Sequence, residues 1–186
     1  NFAVESSAAS GMDVLLFKTG EATTASEVLP MFKSGAVGHR HVEGLKAGEF
    51  YLFKAHGEYT PAENGNRFNA NKALLDPYGK AVTGDIRPTG KGEELGFDNS
   101  KPDNPNRHLE PSQIDNVAVM PKNVVVDTRA FKWEGDKLPA IPMSDAIIYE
   151  LNLRGFTASD TSIAPHLRGT YRGLIEKIPY LKDLGI

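Results

Sequence analysis

A chain of 186 residues with 40% apolar and 24% charged residues has the composition of a folded globular protein. Its formal net charge of −3 argues against a nucleic-acid or anionic-membrane partner, because neither gains from a mildly acidic surface. Cysteine is absent, which excludes disulfides, thiol nucleophiles and cysteine metal sites and favours a cytoplasmic location. Export stays open, because the chain begins at Asn1 without an initiator methionine and we expect its true N-terminus to be missing.

The first 60 residues predict β structure. Apolar and aromatic runs recur about every 10 residues with glycine turns between them, which is typical of an antiparallel β-sandwich. The clearest predicted strands are at residues 2–4, 13–17 and 49–56. A weaker strand at residues 28–32 contains Pro30, which has to lie at a sheet edge because proline has no N–H for the ladder. Residues 1–84 are therefore predicted to form a β-sandwich domain.

Residues 85–116 contain many Pro, Asn, Asp and Gly residues and almost no apolar periodicity. A stretch of this length without periodicity is typical of a functional loop or a linker. Only residues 117–126, interrupted by Pro121, have the character of a strand. We predict that residues 85–142 form an extended bridging segment.

Residues 143–186 predict a strand, a loop and a helix. Residues 146–157 begin with a short apolar run bounded by turn residues, which is typical of a strand buried on both faces. Residues 171–184 follow as an amphipathic helix, kinked at Pro179 and capped by Gly185. Its core-facing stripe consists of Tyr171, Leu174, Ile178 and Leu181. A buried strand, a loop and a helix in this order are the opening unit of a parallel α/β structure.

Candidate metal ligands are few. His39 and His41 would share one face of a strand, but no third ligand follows at helical spacing, so we interpret them as solvent-facing or turn residues. The oxygen-rich stretch at residues 98–104 lacks the ordered alternation and the terminal glutamate of a calcium loop. We interpret it as a plain polar loop, and the sequence predicts no metal site.

Glycoside hydrolysis needs two carboxyl groups that flank the scissile bond, about 5–9.5 Å apart. Asp145 lies before the predicted strand, Glu150 within it and Asp160 in the following loop. If the strand belongs to a (β/α)8 barrel, Asp160 alone lies on the side where barrel chemistry takes place. One loop carboxylate is not a pair, so we interpret Asp160 as a loop-stabilising residue.

Aromatic side chains that stack on sugar rings are the remaining candidates. Phe50, Tyr51 and Phe53 have strand spacing, which favours core positions. Tyr59 and Trp133 are kept as candidate sugar-stacking residues.

Three blocks of sequence carry a resemblance to a known family. The first is YELNLRGFT at residues 149–157 with its continuations DTSI at 160–163, LRGTYRGL at 167–174 and YLKDLGI at 180–186. The second is HGEY at 56–59, GNRFN at 65–69, NK at 71–72 and LLDPY at 74–78. The third is MPKNVVVD at 120–127 with FKW at 131–133. In order and spacing, these blocks strongly resemble the isoamylase and glycogen-debranching group of the α-amylase superfamily, glycoside hydrolase family 13.

The resemblance implies an N-terminal β-sandwich of the immunoglobulin-like, glycogen-binding type followed by a (β/α)8 catalytic barrel. It also implies hydrolysis of α-1,6 branch linkages in an α-glucan polysaccharide (glycogen, amylopectin or limit dextrin), with retention through a covalent glycosyl-enzyme. The family's catalytic carboxylates lie on the fourth and fifth barrel strands and after the seventh. This chain would hold only the first strand and helix, at residues 143–186, so we expect no catalytic residue in it and no activity of the chain alone.

The resemblance gives further expectations about the site. The loop at residues 156–167 would face the substrate side of the barrel, with Phe156 and Asp160 as candidate residues. The bridging segment would run along the interface of sandwich and barrel, with Phe131 and Trp133 buried between them. We expect no cofactor and no nucleic-acid or membrane partner for this chain, and allow calcium only in the full-length parent.

Two positions depart from the family pattern and leave the subfamily open. Glu58 stands where many relatives have proline, and Asn152 stands where histidine is common. The alternatives are a stand-alone glucan-binding module and a related maltooligosyl trehalose hydrolase or branching enzyme.

Overall fold

The computed structural model describes residues 1–186, which divide into two compact units, residues 1–132 and 133–186. The strands are β1 Phe2–Glu5, β2 Gly11–Phe17, β3 Glu27–Pro30, β4 Phe32–Ser34, β5 Val37–Arg40, β6 Phe50–His56, β7 Tyr59–Thr60, β8 Asn66–Arg67, β9 Ala73–Leu74 and β10 Asn123–Val124. The helices are α1 Leu153–Ala158, α2 Tyr171–Ile175 and α3 Ile178–Asp183. Short 3₁₀ turns lie at Arg107–Leu109, Thr128–Ala130 and Met143–Asp145. None of the helices has the length and apolar character required to cross a membrane.

The larger sheet of the first unit has the strand order β10–β6–β2–β3, with β9 also paired to β6, and every pairing is antiparallel. β2 and β6 form its centre because their residues are mostly apolar or aromatic and fit a pleated, buried surface. Their register places Val14 opposite Phe53 and Leu15 opposite Leu52. Pro30 ends β3 on the outer edge of this sheet, as predicted.

The smaller sheet, in the order β1–β5–β4, covers one face of the larger sheet. The ring of Phe2 in β1 lies 4.8 Å from that of Tyr51 and 6.0 Å from that of Phe53, measured between centroids. The buried cluster between the sheets consists of Phe2, Val14, Leu16, Tyr51 and Phe53. The predicted mainly β architecture with antiparallel sheets is confirmed, and the two packed sheets fit a β-sandwich.

The opposite face of the larger sheet is covered by irregular chain between β6 and β10. The buried cluster on this face consists of Leu15, Phe17, Leu52, Ala73 and Val117. Lys72 and Lys122 are buried in the same layer, and each ammonium group donates hydrogen bonds to two backbone carbonyl oxygens. Burial lowers the pKa of both lysines, because the charged form loses hydration. These contacts hold a long loop on the sheet.

The chain after β10 is extended and exposed. Phe131 and Trp133 are 64% and 66% exposed in this chain, and their burial between the sandwich and the barrel of a longer protein stays a prediction. Residues 126–150 contain no buried residue and form only two 3₁₀ turns. The predicted domain boundaries at 84/85 and 142/143 stay predictions.

The predicted strand at residues 146–157 is not formed. A strand exists through ladder hydrogen bonds to a neighbour, and no other strand lies in the unit 133–186. Residues 146–152 are irregular, and the chain then enters α1 because the Asn152 side chain caps it, accepting from the Gly155 N–H at 2.8 Å. Ile147 and Ile148 are 60% and 77% exposed in place of the predicted burial.

The predicted helix at residues 171–184 forms as two pieces, α2 and α3. The break precedes Pro179, which lies in the first turn of α3, so the predicted kink is confirmed. Gly185 closes α3 with φ +78°, and the Ile186 N–H returns to the Leu181 carbonyl oxygen at 3.3 Å. This geometry confirms the predicted glycine cap, because a left-handed φ costs glycine no steric strain.

Candidate functional site

A small hairpin, β7 and β8, provides one wall of a cleft on the first unit. Tyr59 lies directly opposite Arg67 in the antiparallel register. The turn between the strands is held by Asn64, whose side-chain oxygen accepts from the Thr60 hydroxyl at 2.8 Å and from the Asn66 N–H at 3.0 Å. The hairpin therefore fixes the Tyr59 and Arg67 side chains side by side.

Both of these side chains reach across to the loop that carries His108. The Tyr59 hydroxyl and the Arg67 guanidinium each donate to the His108 carbonyl oxygen, and both distances are 2.9 Å. The His108 ring is held in turn, because its Nδ1 lies 3.1 Å from the Pro105 carbonyl oxygen and has to be the donor. In the neutral ring Nε2 is then an acceptor.

Two adjoining lobes make up the cleft. The first, about 450 Å³, is lined by Tyr59, Arg67, Gly96, Phe97 and His108. The second, about 370 Å³, shares Arg67 and Gly96 with the first and adds Phe68, Asn69 and Leu74 among its lining residues. The volumes fall in the range of small-molecule sites.

The floor of the second lobe is built by polar side chains bound to backbone. Asn69 Nδ2 donates to the Gly96 carbonyl oxygen at 3.1 Å and to the Ser112 carbonyl oxygen at 2.8 Å. Phe68 packs directly on Gly57, where an added Cβ would lie 2.5 Å from Phe68 Cδ2. Glycine is needed at position 57 for this close approach.

The charged groups of the cleft are cationic. Arg67 belongs to none of the five ion pairs in the molecule, and its guanidinium keeps N–H groups beyond the one given to His108. The Arg107 guanidinium lies over the Phe97 ring, 5.9 Å from its centroid. No group of three or more His, Asp or Glu side chains is placed to hold a metal ion. The cleft offers aromatic rings, an imidazole, the Arg67 guanidinium and, on the Phe97 ring, the Arg107 guanidinium, and neither arginine belongs to an ion pair.

The four candidate site residues selected from the sequence are divided between the two units. Tyr59 lies in the cleft, whereas Trp133 belongs to the second unit. Phe156 also lies in the second unit, half-buried in α1, with its ring centroid 6.1 Å from that of Tyr149 and 6.4 Å from that of Tyr180. Phe156 thus takes part in packing among aromatic side chains.

Asp160 lies in the loop after α1 and is fully engaged. Its carboxylate forms an ion pair with Lys177 and accepts from the Ser162 hydroxyl at 2.5 Å and from the Ser162 N–H at 2.9 Å. The Lys177 contact, together with the Ser162 bonds, lowers the pKa of Asp160 to about 2. The carboxylate is therefore ionised near neutral pH and cannot act as a general acid there.

The two histidines considered as a metal pair bind different neighbours. His39 Nε2 lies 2.9 Å from the Ser34 hydroxyl, and His41 Nδ1 lies 2.6 Å from the Asn1 side-chain oxygen.

Sequence reasoning missed Arg67, Phe97 and His108 as cleft residues. A signal for Arg67 exists, because the turn residues between positions 60 and 66 indicate a hairpin that would pair it with Tyr59. No local signal exists for Phe97 or His108, because their positions depend on contacts across many residues of loop.

Relatives of known name match the whole chain. It is 36% identical over 188 residues to the glycogen operon protein GlgX homolog of Haemophilus influenzae and 35% identical over 189 residues to a glycogen debranching enzyme of Serratia proteamaculans. Both matches cover 100% of this chain, which spans about a quarter of the length of these relatives (25% and 26%). No family model matches the chain.

Solved structures support the fold. The chain superposes over its whole length, with a TM-score of 0.60, on a product complex of the multi-modular glycogen-degrading pneumococcal virulence factor SpuA and on the catalytic module of SpuA with an inhibitor. The identities are 20% and 22%, and the chain covers 17% and 24% of those chains. These structural matches support the fold alone, whereas the sequence relatives show that the chain belongs to the glycogen debranching enzyme group of glycoside hydrolase family 13, to the N-terminal part of which it corresponds.

Proposed function

We propose that this chain is the N-terminal part of a glycoside hydrolase that cleaves α-1,6 branch linkages in glycogen or a related α-glucan. The observation that carries the proposal is the match over the whole chain to relatives named glycogen debranching enzyme. The three sequence blocks that resemble the debranching group support the same activity. The resemblance extends over both units of the chain, because the blocks lie in both. The proposed partner is the α-glucan polysaccharide.

We assign the two units different roles in that enzyme. The first unit, residues 1–132, is an immunoglobulin-like sandwich module, and it resembles a domain with a complete core of its own. The second unit, residues 133–186, supplies the first strand and helix of a (β/α)8 barrel. This assignment is supported by exposed apolar residues in the irregular run before α1, among them Ile147 and Ile148, because a barrel strand buries such residues on both faces.

The proposed mechanism uses two carboxylates and retention through a covalent glycosyl-enzyme. Residues 1–186 contribute neither carboxylate and are inactive alone. Asp160, the carboxylate on the proposed substrate side, is held ionised by Lys177, which supports a structural role for it. The 186-residue chain therefore contributes positioning and glucan contact.

The test is an assay of the full-length gene product that contains these residues, with the 186-residue chain in parallel. The full-length protein should release linear chains from β-limit dextrin and cleave pullulan, whose links include α-1,6, while leaving linear amylose intact. The 186-residue chain should release nothing. Cleavage of amylose without cleavage of branch links, or hydrolysis by the short chain, would contradict the proposal.

A further inference from the structure

We propose that Asn64, in the turn between β7 and β8, is a site of covalent self-modification by deamidation, with water as the co-reactant. Asn64 and Gly65 form the one Asn-Gly pair of the sequence, and both residues are exposed. The proposal is independent of the proposed function, because it depends only on the chemistry of this turn. It assigns to the hairpin a covalent change that alters the pairing of Tyr59 with Arg67.

The reaction proceeds through a cyclic succinimide. The Gly65 backbone nitrogen attacks Asn64 Cγ and forms a new N–C bond, while the bond from Cγ to Nδ2 breaks. The amide nitrogen leaves as ammonia and takes up the proton that the Gly65 N–H loses. Water then opens the ring: cleavage of the bond between the nitrogen and Cγ gives aspartate, and cleavage of the bond to the backbone carbonyl carbon gives isoaspartate. In both products OH replaces NH₂.

The attacking nitrogen is accessible. The Gly65 N–H donates no hydrogen bond to the protein, and no heavy atom beyond its chain neighbours lies within 4 Å of the Cβ position at Gly65. Gly65 has φ +81°, in the left-handed region that glycine adopts without steric strain. Neither a hydrogen bond nor a side chain at this position therefore obstructs the approach of the nitrogen to Asn64 Cγ.

The side-chain carbonyl group of Asn64 is held by two donors. Its Oδ1 accepts from the Thr60 hydroxyl at 2.8 Å and from the Asn66 N–H at 3.0 Å. Because a backbone N–H can only donate, the atom that faces Asn66 is the oxygen, and Nδ2 is the leaving group. Negative charge develops on Oδ1 as the nitrogen attacks, and donors already in place stabilise it. The two hydrogen bonds of the turn thus lower the barrier to ring closure.

Asn99 provides a comparison within the same unit. It is also exposed and is followed by another small residue, Ser100. The Ser100 N–H donates to Asp98 Oδ1 at 2.8 Å, so the nitrogen that would attack Asn99 is held by a carboxylate. Loss of its proton beside that negative charge is unfavourable. Asn99 should therefore deamidate much more slowly than Asn64.

The two products affect the hairpin differently. Aspartate at position 64 keeps the oxygen that accepts both hydrogen bonds of the turn, so the hairpin is retained. Isoaspartate inserts the side-chain methylene into the main chain and lengthens the connection between β7 and β8. Because strand register depends on the length of the turn, Tyr59 then no longer lies opposite Arg67, and both lose their hydrogen bonds to the His108 carbonyl oxygen.

The experiment incubates the 186-residue chain at mildly alkaline pH and follows each asparagine by peptide mapping with mass spectrometry, with enzymatic methylation to detect isoaspartate. Asn64 should deamidate about tenfold faster than Asn99, a difference of about 1.4 kcal/mol between the barriers. Asn64→Gln should abolish the fast reaction, and the matched control Asn99→Gln should leave it unchanged. Equal rates at Asn64 and Asn99, or a fast reaction that persists in Asn64→Gln, would overturn the proposal.

Variants of Thr60 test the role of the turn itself. Thr60→Val removes the hydroxyl donor with little change of shape, so the rate at Asn64 should fall about fivefold, which corresponds to about 1 kcal/mol of hydrogen bonding. Thr60→Ser keeps a hydroxyl and should keep the rate of the parent. If Thr60→Val reacts as fast as the parent or faster, the hydrogen bonds of the turn do not activate Asn64, and the proposal is wrong.

Nuclear magnetic resonance of the incubated chain measures the structural consequence. The isoaspartate fraction should give a second set of amide signals for Tyr59 and Arg67, whereas Asn64→Asp, which reproduces the other product, should keep the signals of the parent hairpin. A single unchanged set of signals in a sample that contains isoaspartate would contradict the proposed change in pairing.

Discussion

The two units of the chain are stabilised by different means. The first unit buries apolar clusters on both faces of one sheet, with the smaller sheet on one side and a long loop on the other. In the second unit only Thr157, Ile163 and Gly173 are buried, and its helices have five or six residues each. Helices this short are marginal on their own, so capping and polar contacts carry their structure.

The second unit buries few residues, and side-chain caps and polar hydrogen bonds stabilise its helices. Asn152 and Thr170 cap α1 and α2, accepting from N–H groups at 2.8 and 3.2 Å. The Thr157 hydroxyl accepts from the Gly169 N–H at 2.8 Å and so ties α1 to the following loop. Polar bonds of this kind contribute about 1 kcal/mol each, whereas a buried leucine contributes several times more.

The largest expected effect is on the sheet core of the first unit. Leu52 in β6 is fully buried, so Leu52→Ala should lower the free energy of unfolding by about 3 kcal/mol through lost burial and the cavity left behind. Urea unfolding followed by far-ultraviolet circular dichroism measures the change. Leu138→Ala is the control, because Leu138 is 92% exposed and its loss should cost less than about 0.5 kcal/mol. Equal losses of unfolding free energy in Leu52→Ala and Leu138→Ala would contradict the view that a buried core stabilises the first unit and not the second.

Strands with strong alternation could be predicted from the sequence. The predictions at residues 13–17 and 49–56 correspond to β2 and β6, whose apolar and aromatic residues determine both the strand and the buried faces. The prediction at residues 117–126 succeeds only for β10, because Lys122 is buried through hydrogen bonds to the Val117 and Met120 carbonyl oxygens, which have no periodic signature.

The strand predicted at residues 146–157 shows the limit of this reasoning. Its apolar run gives the segment a tendency to form a β-strand. A strand also requires a hydrogen-bonded neighbouring strand, and that neighbour is formed by residues distant in the sequence. The candidate site divides in the same way. Tyr59 can be selected from the sequence as an aromatic residue outside the predicted strands, whereas His108 contacts it through one hydrogen bond between residues 49 positions apart.

A smaller effect is expected in the loop layer of the first unit. The Asn116 side chain accepts from the Ala73 N–H at 2.6 Å and donates to the Ala73 carbonyl oxygen at 3.0 Å, in place of a neighbouring strand. Asn116→Ala leaves both buried groups without this partner, so the free energy of unfolding should fall by about 2 kcal/mol. Hydrogen exchange of the Ala73 amide should accelerate in parallel.

The control for this variant is Asn99→Ala, at an exposed loop position, which should change the free energy of unfolding by less than about 0.5 kcal/mol. If Asn116→Ala costs no more than Asn99→Ala, the loop layer is held by its apolar contacts alone. The prediction that polar contacts hold the loop on the sheet would then be wrong.

The smallest effect is expected in the second unit, where the Asp160–Lys177 ion pair joins the loop after α1 to the junction of α2 and α3. The folded-state pKa of Asp160 is about 2, below its ordinary value of 3.8. A depressed carboxylate pKa adds stability that is complete above the ordinary value and is lost as the pH falls toward the folded value. The helical signals of α2 and α3 should therefore weaken between pH 4 and pH 2, as measured by nuclear magnetic resonance chemical shifts.

Asp160→Asn removes the titrating group, so the shifts of α2 and α3 should lose that pH dependence and resemble the acid form of the parent at every pH. Asp183→Asn is the matched control, because Asp183 is an exposed carboxylate at the end of α3 that belongs to no ion pair. It should keep the pH dependence of the parent. If the Asp160 variant keeps it too, the ion pair does not order these helices, and their caps and the few buried contacts of the unit suffice.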